Sequence, residues 1–469
     1  MTKTPSSSKS AKGLTHKAGH DPRAAALSVL VDVVHGKSDS QAALNRALKR
    51  EVFAIAPSDK GLSTELVYGT LRQYLRLEHF ALSFLSRPDK LPDEMRLLLL
   101  QTLYEMAFLR VPHHAGVNWA VGHVRNRFGK GLASVANGVL RSMQRSLRDF
   151  LYDGAEQENR ADAPTLALRY GAPLWLVQLW LEAYGAAQCD MLLRAILGPA
   201  PSGLRLNRSR PDWEKQRLAL LGEAATAETA APLAVGPAGL AFTGPLPWNA
   251  KELLRRGAAA RQSMAAYEAL ESLLPSAWPL PIWDCCAGRG GKSLPLLEQG
   301  LALALASDIS APRLRGFADE YARLELADPP LPALCLADAA DLEARPAPLD
   351  GGTAPVSLPE QFGTVLIDAP CSGLGTLARR PEIKLRRSPE DLDNLAGLQA
   401  RILENVWRKV IPGGCALYLT CTLNPAENQG QIARFLAEHP EALLRVEYQT
   451  PFDSPLREFF YAARLDKMA

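Results

Sequence analysis

Residues 362–387 read FGTVLIDAPCSGLGTLARRPEIKLRR. Val365, Leu366 and Ile367 form an apolar run of strand type that delivers Asp368 at its end. Ala369-Pro370 turns the chain and presents Cys371. Ser372-Gly373-Leu374-Gly375 reads as a flexible loop, and a basic segment closes the stretch. In open α/β sheets, ligands bind just beyond the carboxyl ends of the strands. A carboxylate and a thiol at such an end, followed by glycines, therefore mark a candidate site. The competing reading is a strand, a turn and a solvated basic loop, and the surrounding chain decides between the two.

Downstream of Trp278 the same texture repeats. Ile282-Trp283-Asp284 is a strand end followed by a glycine-rich turn and a helix. Residues 301–307 form a buried strand ending at Asp308, and residues 331–337 a strand ending at Asp338. After the strand 362–367 comes a helix over 391–410, a strand over 415–420 ending at Cys421, and a helix over 427–436. Strands alternating with helices indicate an α/β domain with a Rossmann-like, doubly wound, mostly parallel sheet. Residues 345–359, rich in Pro and Gly, read as a surface loop between two units.

Upstream the pattern is helical. Asp21-Pro22 is a helix opening, Leu27, Leu30, Val31 and Val34 repeat at helical spacing, and Gly36 stops the run. Val111-Pro112-His113-His114 breaks the pattern once, and residues 135–148 form a last helix with Arg141, Arg145 and Arg148 on one face. Residues 21–150 thus read as an all-α domain, 151–164 as an acidic linker, 165–255 as a small α/β subdomain and 256–469 as the catalytic domain. The arginine stripe is a solvated face or a holder of RNA phosphates. Arg205 in the small subdomain is a second candidate for RNA contact.

Of 469 residues, 47% are hydrophobic, and the formal net charge is only +3, so a nucleic-acid partner has to be argued from local patches. No apolar run approaches the roughly 18–20 residues a membrane helix needs, which excludes a membrane protein of that kind. Residues 1–20 carry four lysines and no acid, and read as a disordered basic tail rather than a secretory signal. Seven cysteines, none before Cys189 and none in a C-x-x-C pair, fit neither a disulfide framework nor a metal site. They indicate a cytoplasmic protein with reduced thiols.

The turn after the first strand of the α/β domain runs Asp284-Cys285-Cys286-Ala287-Gly288-Arg289-Gly290-Gly291-Lys292-Ser293. Three readings compete. A phosphate-binding loop is matched by Gly291-Lys292-Ser293, but Cys286 occupies the first glycine position. The dinucleotide fingerprint G-x-G-x-x-G is absent. The third reading is a loop for S-adenosylmethionine, with Asp308 placed for ribose hydroxyls and Asp338 for the adenine ring. One acid at a strand end is more often a helix cap; three at successive strand ends favour a cofactor.

Cys371 and Cys421 both fall at the ligand edge of the sheet, beside that proposed cofactor. Two thiols near a methyl donor suggest methylation at carbon 5 of a pyrimidine. That carbon is a poor nucleophile, and adding a thiolate at carbon 6 turns the ring into an enamine whose carbon 5 attacks the methyl group. Asp368 is placed to stabilise the ring nitrogen as charge develops. The residues alone leave open which of the two thiols attacks.

Residues 66–72 (LVYGTLR), 111–118 (VPHHAGVN) and 136–141 (ANGVLR) resemble the NusB-like RNA-binding helical domain. The loop 286–292, the Pro370-Cys371 and Thr420-Cys421 motifs and Asp368 closely resemble the RsmB/Nop/Sun family of RNA 5-methylcytosine methyltransferases, over about residues 165–467. The two together resemble the branch of that family that acts on small-subunit ribosomal RNA. The resemblance implies Cys421 as nucleophile and Cys371 as the group that assists product release. It implies a cofactor site lined by Cys286, Ala287, Gly288, Arg289, Gly290, Gly291, Lys292, Asp308, Asp338 and Asp368, with Lys292 reaching towards Asp368. It implies that Arg379, Arg380, Lys384, Arg386 and Arg387 hold RNA. The expected partner is ribosomal RNA and the expected state a monomer.

Three departures stand out. The family loop reads C-A-A-P-G-G-K, whereas Gly288-Arg289 stand here for Ala-Pro, loosening the loop or adding a charge near the cofactor carboxylate. Gln262-Ser263 stands for a Gln-Asp pair, and Arg457-Glu458 for an Asp-Gly pair. Two other readings remain: an RNA-binding assembly factor with a vestigial catalytic domain, and an enzyme in which Cys371 is the nucleophile. The presence of both cysteines, Asp368 and Lys292 weighs against the first.

Overall fold

The computed structural model describes residues 21–49, 57–152, 162–224, 231–342, 347–349 and 360–468. The expected basic tail, most of the acidic linker and most of the loop 345–359 lie outside the described residues. The chain divides into two compact units between residues 159 and 160.

Among its described residues the first unit is helical, with Pro22–Val34, Ser40–Lys49, Pro57–Leu82, Asp93–Phe108, His113–Phe128, Lys130–Arg145 and Leu147–Tyr152. The Asp21 carboxylate accepts from the Arg23 amide at 2.8 Å and Pro22 occupies the first turn, which fixes where the first helix starts. Leu30, Leu66, Leu71, Leu98, Leu100 and Met143 are fully buried and form the apolar interior. The single last helix expected over 135–148 is instead two. Gly129, at φ 88°, caps the start of Lys130–Arg145, and the chain leaves helical geometry at Ser146, so Arg148 belongs to the next helix.

The second unit opens with helices Ala163–Tyr170 and Leu174–Leu197. Next come strands β1 (Ser202–Leu206), β2 (Leu233–Val235), β3 (Gly239–Phe242) and β4 (Ala259–Arg261), an antiparallel sheet in the order β2-β3-β1-β4. This sheet is not a separate subdomain ending at residue 255. Its last strand runs to Arg261, and Leu204, Leu206, Leu240 and Ala259 share one apolar core with Leu296, Leu297, Phe317 and Leu417. Strands of three to five residues present too little apolar face to close a core of their own.

The larger sheet comprises β5 (Ile282–Asp284), β6 (Leu303–Asp308), β7 (Ala333–Leu336), β8 (Ala347–Pro348), β9 (Phe362–Asp368), β10 (Val410–Thr420), β11 (Ala442–Gln449) and β12 (Tyr461–Lys467). Their order is β11-β12-β10-β9-β5-β6-β7-β8. The five strands from β10 to β7 pair in parallel, and β12, β11 and β8 pair antiparallel at the two sides. The chain builds outward from β5 through β6 to β7, then crosses back to place β9 and β10 on the other side of β5. The topological switch between β5 and β9 opens a crevice at the carboxyl ends of these strands. Asp284, Asp308, Asp368 and Thr420-Cys421 all arrive at that edge. Residues 362–367 of β9 are buried throughout, as a strand covered on both faces must be. Among the described residues no helix is long and apolar enough to cross a membrane.

Candidate active site

The loop after β5 is held at both ends. The fully buried Asp284 carboxylate accepts from the Ser293 hydroxyl and from the Cys286 amide at 3.3 Å. Burial pushes this carboxyl up to about 7, against the opposing effect of the Ser293 bond. Further along, the Gly288 amide donates to Asp308 Oδ2 at 3.0 Å, while the Ser310 amide donates to Asp308 Oδ1 at 2.8 Å. Gly290 adopts φ 78°, and a Cβ there would meet the Phe317 ring at 2.7 Å, so only glycine lets the loop close over that ring.

A cavity of about 190 Å³ opens beside this loop, lined by Cys286, Asp308, Asp338 and Asp368 together with Ile309 and Ile402. Asp308, Asp338 and Asp368, expected from successive strand ends, therefore meet in one place. The Asp308 and Asp338 carboxylates suit ribose or amino donors, and the apolar walls suit a flat ring, so the chemistry of the lining fits S-adenosylmethionine. Ile309, 71% exposed at the mouth, and Ile402 on the helix Pro389–Trp407 were not foreseen. An isoleucine directly after a strand-end acid was the available signal for the first. Arg289 is not part of the lining: it is exposed, and its guanidinium lies against Gly316 on the helix Ala311–Arg323. The charge expected near the cofactor carboxylate is thus directed to a neighbouring helix.

A second, wider cavity of about 580 Å³ shares Asp368, Pro370 and Arg313 with the first. Its walls carry Cys371, Cys421, Lys292, Phe460 and the basic side chains of Arg379, Arg380, Arg386 and Arg387. The two sulfurs stand 3.1 Å apart, and the Cys421 amide lies 3.3 Å from Cys371 Sγ. Both thiols are free. The hydrogen bond from Cys371 pulls the Cys421 thiol below its usual range, with help from Lys292 and Arg380 and against burial and Asp368. The same bond, with burial, holds Cys371 well above its usual range. The two shifts run in opposite directions, so Cys421 is the more readily ionised thiol of the pair. Lys292 forms an ion pair with Asp368 and stands 5.5 Å above the Phe460 ring. Burial alone would lower its pKa, but the charge and hydrogen bond of Asp368, joined by Cys421 and Asp284, together outweigh that and raise it above the ordinary lysine value.

The loop 372–375 is not flexible. Residues 372–378 are buried, the Gly375 amide donates to the Cys421 carbonyl at 3.0 Å, and Phe459 donates to the Gly375 carbonyl at 2.8 Å. A Cβ at Gly375 would stand 2.0 Å from that Phe459 carbonyl. Its glycines serve close backbone approach rather than mobility.

Two expected RNA contacts are misplaced. Arg205 is 2% exposed and forms a bidentate pair with Glu298 at 2.7 and 2.6 Å. It also donates to Gln262, whose amide in turn donates to the Gly291 carbonyl at 2.8 Å. Lys384 is 3% exposed and donates to the Gly171 carbonyl at 2.6 Å. Each is taken up by a partner far away in sequence. Arg379 is partly engaged as well, by Glu458 at 2.9 and 2.7 Å, which gives the Arg457-Glu458 departure a structural role. In the first unit Arg141 and Arg145 are exposed and bond locally to Asn137 at 3.1 Å and Ser142 at 2.8 Å.

Residues 275–456 match the family model described as 16S rRNA methyltransferase RsmB/F, and residues 20–145 match the NusB family model. The chain is 34% identical over 425 residues to ribosomal RNA small subunit methyltransferase B of Vibrio cholerae, covering 90% of each protein. It is 30% identical over 456 residues to the probable ribosomal RNA small subunit methyltransferase B of Bacillus subtilis, covering 94% of this chain and 93% of that one. Among solved structures, PH0851 superimposes with a TM-score of 0.69 at 21% identity, over 96% of this chain and 100% of that one. NSun6 from Pyrococcus horikoshii does so with a TM-score of 0.51 at 18% identity, over 63% of this chain and 98% of that one.

Proposed function

Because the chain belongs to the ribosomal RNA small subunit methyltransferase B family, we propose that it methylates carbon 5 of a cytosine in small-subunit ribosomal RNA through a Cys421 adduct at carbon 6. The observation that carries the reading is the pairing of Cys371 and Cys421 at 3.1 Å, in a cavity that joins the three-carboxylate cavity at Asp368 and Pro370.

S-adenosylmethionine, when bound, supplies an electrophilic methyl group. Asp308 and Asp338 would hold its ribose and adenine, with Cys286 at the wall of the same cavity. Cys421, as thiolate, attacks carbon 6 of the cytosine. Asp368 lends the ring nitrogen, where negative charge develops during that attack, a proton drawn from its ion-pair partner Lys292, and the proton returns when the ring is restored. Once carbon 5 carries the methyl group, its proton must be removed before the thiolate can leave. Cys371 serves product release by giving its proton to the departing Cys421 sulfur and taking up the carbon 5 proton in its place, so that both cysteines end as thiols and the surplus proton passes to solvent. The cytosine has to leave its stack to reach the pocket, so the target lies in a loop or another single-stranded site. Arg380, Arg386 and Arg387 at the cavity rim, and Arg141 and Arg145 on the helical unit, contribute phosphate contacts. The protein acts in the cytoplasm as a monomer.

Mapping 5-methylcytosine in small-subunit ribosomal RNA with and without the protein tests the reading. A single cytosine that loses its methyl group in the absence of the protein supports it. An unchanged map, or a lost methyl group on an exocyclic nitrogen, contradicts it.

A further inference from the structure

Behind the two cysteines lies a carboxylate to which the reaction assigns no task. Glu427, in the short turn Pro425–Glu427 after β10, is fully buried. One of its oxygens accepts from the Ser372 amide at 2.8 Å and from Gln399 Nε2 at 2.9 Å. The other accepts from the Ser372 hydroxyl, from Asn424 Nδ2 at 3.0 Å and from the Thr422 hydroxyl at 3.5 Å. Gln399 Nε2 also reaches the Pro370 carbonyl at 2.9 Å, and the Ser372 and Thr422 hydroxyls lie 2.6 Å apart. Tyr418, buried in β10, donates to Gln399 Oε1 at 3.0 Å and to the Glu427 carbonyl at 2.8 Å.

Pro370 and Ser372 flank Cys371 on its two sides, and Thr422 follows Cys421 directly. One buried carboxylate therefore ties down both neighbours of the first cysteine and the residue next to the second. All the hydrogen-bond donors around it are neutral among the described residues. Keeping a carboxylate dry on neutral donors costs stability, because such donors offset only part of the cost of leaving water. An apolar side chain could fill the same space at lower cost but could not gather five donors from three segments.

We infer that Glu427 is the positioning residue of the cysteine pair, the clamp that keeps Cys371 as donor and Cys421 as acceptor. The inference rests on the reading of Cys421 as nucleophile. The charges around the two sulfurs agree with it. Cys421 faces Cys371, Asp368, Lys292 and Arg380, whereas Cys371 faces Cys421 and Glu427. The Glu427 charge thus opposes ionisation of Cys371 and leaves the negative charge to Cys421.

Alkylation of the full chain by iodoacetamide, followed for each cysteine by mass spectrometry across a pH series, tests the clamp without relying on turnover. Wild-type protein should alkylate Cys421 faster than Cys371 at neutral pH. In Glu427→Gln that preference should fall by about tenfold or more, the equivalent of one pKa unit. Binding of S-adenosylmethionine, measured by calorimetry, should stay near its wild-type value, because its cavity does not include Glu427. An unchanged preference in Glu427→Gln overturns the inference and leaves the assignment of Cys421 intact. Faster alkylation of Cys371 in wild-type protein overturns both. Should Glu427→Gln fail to fold, Ser372→Ala removes one donor and keeps the carboxylate. A smaller fall in preference is then expected, and none overturns the clamp.

Discussion

Lys292, from the loop after β5, forms an ion pair with Asp368 at the end of β9, and Asp368 lines both cavities of the site. The pair spans the switch point of the sheet and joins the cofactor loop to the thiols. The Lys292 cation also favours the Cys421 thiolate. A thiol with a depressed pKa is ionised at lower pH than an ordinary one, so the single-turnover methylation rate should rise with pH through a midpoint below the usual thiol range. Lys292→Met removes the cation and leaves Asp368 to oppose ionisation. The midpoint should move up by about one unit, with a rate near pH 7 reduced about tenfold and largely recovered at high pH. A lowered rate with an unmoved midpoint would assign Lys292 a role unrelated to the thiolate.

Asp308 is 6% exposed and spends one lone pair of each oxygen on the Gly288 and Ser310 amides, which aims its remaining lone pairs into the smaller cavity. Asp308→Ala should weaken S-adenosylmethionine binding by about 1–3 kcal/mol, the usual cost of removing a buried hydrogen-bonding partner. Asp308→Asn should weaken it too, since its amide group would face one of two backbone donors. Calorimetry on both variants checks this, and wild-type affinity in either would remove Asp308 from the cofactor site.

Arg205 and Glu298 form a buried pair, and burial raises the Glu298 pKa even with the arginine beside it. Arg205→Ala would leave that carboxylate dry and unpaired, at a cost of roughly 3–5 kcal/mol. Urea unfolding should show the loss, whereas RNA affinity of the folded variant should hardly change. Wild-type stability combined with weakened RNA binding would restore Arg205 to the RNA surface.

Much of this architecture is legible in the sequence because its signals are local. An apolar run ending in an acid recurs at β5, β6 and β9, and the same logic places Cys421 after β10. The edge strand β11 and its neighbour β12 escaped notice: in Ala442–Gln449 the apolar run stops after Leu444, and Arg445 and Glu447 flank Val446. Charged residues were the other failure. Arg205 meets Glu298 and Lys384 meets the Gly171 carbonyl across 93 and 213 residues of chain, and no local pattern reveals such a partner. Glu427 was missed for the same reason: its bonds to Ser372 and Gln399 exist only once β9, β10 and the helix Pro389–Trp407 have packed together.

The central claim is that Cys421 attacks and Cys371 assists release, and trapping the adduct tests it most directly. Wild-type protein, Cys421→Ala and Cys371→Ala are each incubated with ribosomal RNA and S-adenosylmethionine and run on a denaturing gel. Cys371→Ala should accumulate a protein–RNA species that survives denaturation, wild type should show little, and Cys421→Ala should show none and be inactive. A trapped species in Cys421→Ala with none in Cys371→Ala would exchange the two roles. Methyl transfer by Cys421→Ala, with no adduct in any variant, would contradict the covalent mechanism.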